Sequence, residues 1–193
     1  LNVAIVGKPN AGKSSLVNKI LGEQRCLVSD AAGTTRDSID AKVQNKFGRY
    51  NLIDTAGLRR KSKISDSIEK YSVIRAKLAI DRSDVCIIMI DASEGITEQD
   101  TKIAGLAHEA GKGCIIAVNK WDIIEKNEKT MSEFREKIKR DLKFMQYAPT
   151  IFISAKTGQR IDRLFELINF VSQSCTTRIS TGTLNDILAE AMT

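Results

Sequence analysis

The stretch that constrains this chain most is residues 7–14, which read G-K-P-N-A-G-K-S. It follows the apolar run Val3–Val6 and precedes a helix-like stretch, Ser15–Leu21, so the spacing G-x-x-x-x-G-K-S falls between a strand and a helix. A phosphate-binding loop requires this context, since glycines let backbone N–H groups point at an anion and the helix N-terminus adds further donors. The alternative is a glycine-containing strand–helix turn with a capping serine.

This loop predicts specific roles for two side chains. Lys13 would reach the β- and γ-phosphates of a nucleotide, and Ser14 would hold Mg²⁺. The residues predicted to line the phosphate site are Gly7, Lys8, Pro9, Asn10, Ala11, Gly12, Lys13, Ser14 and Ser15.

Length, charge and cysteine usage limit the class of protein. The 193 residues are 42% hydrophobic and 28% charged, an ordinary balance for one globular domain, and the net charge of +6 permits contact with nucleic acid. No apolar run approaches the ~20 residues of a membrane span. The 4 cysteines form no C-x-x-C pair, which fits a reducing cytoplasm. The chain lacks an initiator Met, which predicts a piece of a longer protein.

Apolar runs alternating with helical patterns predict an α/β fold. The five runs that predict buried or half-buried strands are Val3–Val6, Tyr50–Asp54, Val85–Asp91, Gly113–Asn119 and Thr150–Ser154. Four of them are nearly continuous apolar stretches, as expected for parallel strands that are covered on both faces. A sixth stretch alternates apolar Ile39, Ala41 and Val43 with polar residues, which predicts an edge strand paired antiparallel with the run at Tyr50. We therefore expect a doubly wound, six-stranded, mostly parallel sheet with one antiparallel edge strand between helical layers.

The composition changes after Cys175. Residues 1–175 hold all the predicted strands and form the main domain. Residues 176–182 are polar and predict a linker, and Thr183–Met192 predicts a short amphipathic helix without an obvious packing partner.

Polar residues follow the predicted strands where ligands bind in an open parallel sheet. Asp54 ends the third strand and begins D-T-A-G, made of Asp54, Thr55, Ala56 and Gly57. The Asp54 carboxylate would steady Mg²⁺ opposite Ser14, and the Gly57 N–H would reach the γ-phosphate. The alternative is an ordinary strand-terminating turn.

The motif N-K-W-D at residues 119–122 predicts the base. Guanine presents two N–H donors on one edge, which the Asp122 carboxylate accepts together, whereas adenine lacks that pair. Asn119 would bond nearby loops or the purine N7, and the aliphatic stem of Lys120 would cover one face of the base. A backbone N–H of the stretch after the sixth strand would donate to guanine O6. The residues predicted for the base site are Asn119, Lys120, Trp121, Asp122, Ser154, Ala155 and Lys156.

The segment Ser29–Asp37 contains G-T-T-R-D, in which Thr35 predicts a further Mg²⁺ ligand. Such a segment would order around the γ-phosphate and release after hydrolysis. A polar loop without that role is the alternative.

These motifs, in this order, resemble the translation-factor-related GTPases over nearly the whole chain. G-T-T-R-D at residues 33–37 and Leu58 after D-T-A-G are similar to the Era, TrmE and EngA group. Residues 58–63, 68–72 and 97–100 resemble the second of the two tandem GTPase domains of the EngA (Der) family. Residues 177–181 resemble its junction into a C-terminal KH-like domain, which implies that residues 176–193 begin that domain.

The resemblance implies the three-layer fold of a P-loop GTPase and a GTP-hydrolysing switch acting in assembly of the large ribosomal subunit. It implies GTP or GDP and Mg²⁺ as ligands, and ribosomal RNA and further domains of a longer chain as partners. The alternatives are the GTPase domain of a TrmE-like tRNA-modification enzyme, a metabolic P-loop kinase or ATPase, and an interaction domain with a decayed site.

One departure from the Ras-like pattern concerns water activation. Leu58 stands where Ras-type proteins place a water-orienting glutamine. Similarity to TrmE-like proteins implies that K⁺, bound by Asn10, stabilises the transition state, and that Glu69 aids water activation; Asn10 merely capping the loop is the alternative. The catalytic set is Lys13, Thr35, Gly57 and Glu69, and the metal set is Asn10, Ser14, Thr35 and Asp54. The basic run Arg59–Lys63 predicts an RNA or domain interface, with a solvated loop as the alternative.

Overall fold

The computed structural model describes residues 1–23, 40–55, 68–177 and 179–192. Several predicted features lie outside these residues: the whole segment Ser29–Asp37 with Thr35, the stretch Ala56–Leu58, and the basic run Arg59–Lys63. For residues 68–72 the description covers the backbone but no side chain, so the role of Glu69 stays a prediction.

Six strands of the described chain form one sheet: β1 (Asn2–Val6), β2 (Ala41–Asn45), β3 (Gly48–Ile53), β4 (Val85–Asp91), β5 (Gly113–Asn119) and β6 (Thr150–Phe152). Their order across the sheet is β2-β3-β1-β4-β5-β6. All neighbouring pairs are parallel except the β2–β3 hairpin, which is antiparallel. The predicted fold class is therefore confirmed.

Helices cover the two faces of the sheet. Within the described residues they are α1 (Lys13–Glu23), α2 (Ile68–Asp81), α3 (Glu98–Glu109), α4 (Thr130–Asp141) and α5 (Ile161–Thr176). A further helix, α6 (Thr181–Ala191), follows α5 and buries none of its residues. The helices α1 and α5 bury their apolar sides in one core cluster with alternate residues of β1, β4 and β5. The helices α2, α3 and α4 contribute to a second cluster on the other face. The three layers therefore enclose two cores, one on each side of the sheet.

The central strands are the most buried part of the sheet. Every residue of β4 and β5 is buried, because parallel strands with helices on both faces expose neither side to water. The edge strand β2 instead alternates, with Val43 buried and Lys42 and Gln44 exposed. The hairpin and the wet edge were both predicted from the alternation at residues 39–43.

Some predicted boundaries were wrong. The strand β3 ends at Ile53, one residue before Asp54, which has a left-handed φ of 57° that breaks the strand. The strand β6 ends at Phe152 rather than at Ser154. At the C-terminal end, α5 continues to Thr176 and α6 begins at Thr181, so residues 176–182 are not all linker. The earlier start of α6 has a local cause: the Ser180 hydroxyl oxygen accepts a hydrogen bond from the Thr183 N–H.

The strand order of the sheet has a switch point at β1. After β1 the chain passes through α1 to the β2–β3 side of the sheet, and after β3 it crosses through α2 to β4 on the other side of β1. Ligands in open α/β sheets bind at such a switch point, beyond the carboxyl ends of the strands. No described helix is both long and apolar enough to cross a membrane.

Candidate nucleotide-binding site

The phosphate loop joins β1 to α1, and two of its glycines are required by close contacts. Gly7 has a φ of 149°, and a Cβ there would lie 2.5 Å from the carbonyl oxygen of Met89. Gly12 has a φ of 98°, and a Cβ there would lie 2.0 Å from Nδ2 of Asn119. Any side chain at either position would push the loop away from β4 or β5, so these glycines let the loop lie against the strands.

Lys13 begins α1 and folds back over the loop. Its Nζ donates to the carbonyl oxygens of Gly7, at 2.7 Å, and Lys8, at 2.5 Å. Ser14 follows in the first turn of α1, and Ser15 is exposed beside it. Asn10, at the outer edge of the loop, is exposed with a left-handed φ of 64°. The predicted phosphate-site residues are thus brought together in one loop and one helix N-terminus.

The side chain of Lys8 is used differently from that of Lys13. Lys8 is buried, and its Nζ lies 2.7 Å from Oε2 of Glu94 and 3.5 Å from Oδ2 of Asp100. Burial alone would lower the pKa of Lys8, but the hydrogen bond to Glu94 and the charges of both acids outweigh it and raise that pKa. The ammonium group of Lys8 therefore secures the loop against the segment after β4, and only its backbone is available at the phosphate site.

Asn119 joins three loops on the base side. It is 2% exposed. Its Nδ2 donates to the carbonyl oxygen of Ala11 at 2.9 Å, and its Oδ1 accepts from the Ala155 N–H at 2.9 Å. The predicted roles of Asn119 were to bond nearby loops or to bond the purine N7, and in the structure its side chain bonds two loops. The backbone N–H of Ala155 is the donor in one of these two bonds.

Asp122 carries a carboxylate that is oriented but not fully bonded. The Ser154 hydroxyl donates to it, and the same hydroxyl oxygen accepts from the Thr157 N–H at 3.1 Å. This hydrogen bond from Ser154, opposed by burial, holds the pKa of Asp122 below its ordinary value. Among the residues that the structure describes, the buried oxygen Oδ1 of Asp122 has no hydrogen-bond partner. An ionised acceptor left unpaired is costly, so this atom marks a position for a donor from a ligand.

Trp121 lies in the core and not in the site. Its ring is 2% exposed and packs 4.4 Å from the ring of Phe152 and 5.9 Å from that of Phe134, measured between centroids. The prediction that Trp121 contacts the nucleotide is therefore wrong for its side chain, because the short 3₁₀ turn Trp121–Ile123 aims the indole at the second core cluster.

The predicted metal-site residues come from different elements. Asp54 follows β3, and β3 is the parallel neighbour of β1, so Asp54 lies at the same edge of the sheet as the phosphate loop. The Asp54 N–H donates to Oδ1 of Asp40 at 2.9 Å, and Thr55 is buried behind it. Among the remaining predicted residues, Thr35, Ala56, Gly57 and Leu58 lie outside the described part of the chain.

Residues 2–120 match the family model described as 50S ribosome-binding GTPase. The chain belongs to this GTPase family. The match confirms the predicted enzyme class, a GTP-hydrolysing domain, and a guanine nucleotide as its ligand.

Curated relatives agree with the family match. The chain is 62% identical over 191 residues to GTPase Der of Acetivibrio thermocellus, covering 99% of this chain and 43% of that protein. It is 59% identical over 192 residues to GTPase Der of Ruminiclostridium cellulolyticum, covering 100% of this chain and 44% of that protein. The chain thus spans less than half the length of these relatives, and the predicted resemblance to the EngA (Der) family is confirmed.

Solved structures show the same GTPase fold. Era of Aquifex aeolicus, bound to GDP·AlF₄⁻, superposes with a TM-score of 0.64 at 30% identity over 86% of this chain and 55% of that one. Era in complex with MgGDPNP and a 16S ribosomal RNA fragment has a TM-score of 0.64 at 29% identity, with the same coverage. The similarity to Era, a P-loop GTPase that was solved in one case with MgGDPNP, agrees with the three-layer fold predicted from the motifs.

The GTPase domain uses several residues that the sequence analysis did not single out. They are three acids, namely Asp91 at the end of β4 and Glu94 and Asp100 after it. Ser154 was predicted for the base site, but the contact of its hydroxyl with Asp122 was not. One signal for Asp91 was available, since a carboxylate that ends an otherwise apolar buried strand needs a partner. Which partner it takes depends on strand order, which the local pattern does not contain.

Proposed function

We propose that this chain binds GTP and GDP and hydrolyses GTP as the switch domain of a longer protein. The observation that carries the guanine assignment is the buried Oδ1 of Asp122, which no described residue pairs, in a carboxylate that Ser154 already orients. The N1–H and N2–H donors of guanine would satisfy this carboxylate together. The amino group of adenine offers no such pair and would leave the charge unpaired, so ATP is rejected.

The test is Asp122→Asn in a competition between GTP and xanthosine triphosphate. The asparagine amide can donate to the carbonyl at the purine 2-position, so we expect the preferred nucleotide to change from GTP to xanthosine triphosphate. The substitution Asp162→Asn, at an exposed carboxylate that pairs with Lys46, is the matched control and should leave the preference for GTP unchanged. A retained preference for GTP in Asp122→Asn refutes the assignment.

The ammonium group of Lys13 and the N-terminal amides of α1 would bind the phosphate chain of the nucleotide. Lys13 donates to two loop carbonyls, so its ammonium group lies over the loop, where it would reach the β- and γ-phosphates. Serine hydroxyl, threonine hydroxyl and carboxylate oxygens are hard donors suited to Mg²⁺, and Ser14, Asp54 and Thr35 would supply them directly or through water. Bound Mg²⁺ would neutralise charge on the phosphate oxygens.

Hydrolysis would rely on groups other than a glutamine, because Leu58 cannot orient water. We propose that K⁺ binds beside the phosphates and stabilises the transition state, with the side-chain carbonyl of Asn10 as one ligand. The exposure of Asn10 at the loop edge supports this role. Glu69 is the candidate for aiding water activation and lies in the first turn of α2. The Gly57 N–H would bind the γ-phosphate, coupling its presence to the chain that leads into α2.

We propose that the longer protein acts in assembly of the large ribosomal subunit, in the cytoplasm. The family description and the relatives named GTPase Der support this over a tRNA-modification GTPase or a metabolic kinase. The test is sedimentation of the full-length parent protein with ribosomal subunits under GTP and under GDP. Charge reversal at Arg60 and Lys61 should weaken subunit association more than nucleotide binding at matched salt. No nucleotide-dependent association with the large subunit would count against the role.

A further inference from the structure

A fully buried carboxylate ends the central strand β4. Asp91 has 0% exposure and is the last residue of a strand whose other six residues are apolar or cysteine. A charge in that position requires bonded partners, because burial in an apolar layer strongly disfavours an isolated ion. The strand β4 lies between β1, which leads into the phosphate loop, and β5, which leads into the base loop.

Both oxygens of Asp91 are bonded. The Oδ1 atom accepts from the Ser93 N–H at 2.9 Å and from the Ser93 hydroxyl at 2.6 Å. The Oδ2 atom forms an ion pair with Nζ of Lys120. Burial alone would raise the pKa of Asp91, but the hydrogen bonds from Lys120 and Ser93 outweigh it and lower that pKa. Asp91 is therefore ionised near neutral pH and held in one orientation.

The register of the sheet places Asp91 beside the base loop. Asp91 pairs with Asn119 at the end of the β4–β5 ladder, and Lys120 is the next residue. The Ala92 N–H donates to the carbonyl oxygen of Asn119 at 3.0 Å, which continues the connection past the strand ends. Lys120 has a left-handed φ of 62°, and its side chain is 35% exposed although its ammonium is bound. The Lys120 side chain, which is predicted to cover one face of the base, is therefore partly open to solvent.

The same segment also holds the phosphate loop. Glu94 lies three residues after Asp91, and Asp100 lies in the first turn of α3; both contact the buried ammonium of Lys8. Asp100 is secured by a capping box, since its Oδ2 accepts from the N–H and hydroxyl of Thr97. Residues 91–100 thus contact one lysine of the base loop and one of the phosphate loop, and neither contact uses the nucleotide.

We propose that Asp91 is a positioning residue for nucleotide binding: by holding the ammonium of Lys120, it fixes the aliphatic stem of that lysine where it covers the guanine base. This inference rests on the proposed function. Asp91 itself would not touch the nucleotide. Without the pair, the Lys120 ammonium would extend into water and its stem would have to be ordered again each time a nucleotide binds.

The test is a double-mutant cycle on the 193-residue chain, with Asp91→Asn, Lys120→Met and the double variant. The GDP affinity and the melting temperature without nucleotide are measured for each. We expect Asp91→Asn to weaken GDP binding about tenfold. In the Lys120→Met background we expect the same change at Asp91 to alter GDP affinity by less than about twofold, because the group through which it acts is already gone. The exposed pair Glu98–Lys102 supplies the control, in which Glu98→Gln should leave GDP affinity unchanged.

A purely structural role for Asp91 gives a different result. It would lower the melting temperature and would reduce GDP affinity by the same factor in both backgrounds, and this additivity overturns the inference. If Asp91→Asn does not fold, the variant Ser93→Ala takes its place in the double-mutant cycle. This substitution removes the hydrogen bond from the Ser93 hydroxyl to Asp91. We then expect about threefold weaker GDP binding, seen only where Lys120 is present, and additivity again overturns the inference. Failure of the unsubstituted chain to bind GDP would instead overturn the proposed function, and the inference with it.

Discussion

The base side and the phosphate side of the site are built in different ways. On the base side, Asn119 is buried and bonded to two neighbouring loops, and Ser154 is buried and bonded within its own loop. The Ser154 hydroxyl also donates to the Asp122 carboxylate, which is therefore oriented before a ligand arrives. On the phosphate side, Lys13 bonds the carbonyls of its own loop, contacts that can be shared or exchanged with phosphate. The comparison indicates a base side organised for discrimination and a phosphate side organised to respond to the number of phosphates.

The largest expected effect comes from a close contact between the two sides. Gly12→Ala would place a Cβ 2.0 Å from Nδ2 of Asn119, so either the phosphate loop or the base loop must move. We expect GTP and GDP affinity to fall by about 100-fold or more, since overpacking of this kind costs roughly 3 kcal/mol. Isothermal titration measures the loss. Gly105→Ala is the control, because a Cβ there meets nothing within 4 Å and alanine favours the helix. Near-normal affinity in Gly12→Ala would show that the two sides are not in contact when nucleotide is bound.

A change at Lys8 should affect the phosphate side alone. Lys8→Met keeps much of the side-chain length but leaves Asp100 buried without its cation, which should lower the free energy of unfolding by roughly 3 kcal/mol. We expect GDP affinity to fall about tenfold, while the ratio of GDP to xanthosine diphosphate affinity stays the same, because the base loop is untouched.

Thermal melting and competition titrations measure these two effects of Lys8→Met. The control is Lys102→Met, which removes an exposed pair with Glu98 that should contribute little. A change in base preference would contradict the division of the site into two sides.

The response of the phosphate side to cations is the next test. With K⁺ in place of Na⁺ we expect GTP turnover about tenfold faster, equal to about 1.4 kcal/mol of transition-state stabilisation. Asn10→Ala should abolish this stimulation while retaining GTP binding, because the loop backbone and Lys13 remain. Equal rates in matched KCl and NaCl would remove K⁺ from the mechanism.

The smallest expected effect concerns the orientation of Asp122. Ser154→Ala removes the hydroxyl that holds the pKa of Asp122 low, and we expect about fivefold weaker GDP binding near neutral pH, the value of one hydrogen bond of about 1 kcal/mol. Guanine binding requires the ionised carboxylate, so affinity is lost as pH falls through the pKa of Asp122. Because that pKa rises in the variant, the loss should begin at a higher pH.

A pH series of GDP affinities for both proteins measures this shift. Ser174→Ala, at an exposed hydroxyl on α5, is the control. Identical pH profiles would mean that Ser154 does not tune the carboxylate.

The sequence by itself determined the elements that depend on local pattern. The strand–loop–helix at the phosphate site, the wet edge strand and the parallel sheet follow from glycine spacing and hydrophobic period. The roles of Lys13 and Asp122 were predicted because each motif lies directly after a buried strand. The N-K-W-D motif alone did not predict that the indole of Trp121 packs in the core, unlike the neighbouring side chains that are predicted to face the ligand. The direction of the indole depends on the short 3₁₀ turn that begins at Trp121.

Only the tertiary structure decided which charges pair with which. Asp91 is separated from Lys120 by 28 residues, and Lys8 from Glu94 by 85, so no local pattern contains these partners. The order β1-β4-β5 and the register of Asp91 with Asn119 bring them together at one edge of the sheet. Burial then makes the pairing obligatory, because a carboxylate or ammonium inside the protein must have a partner that the fold supplies.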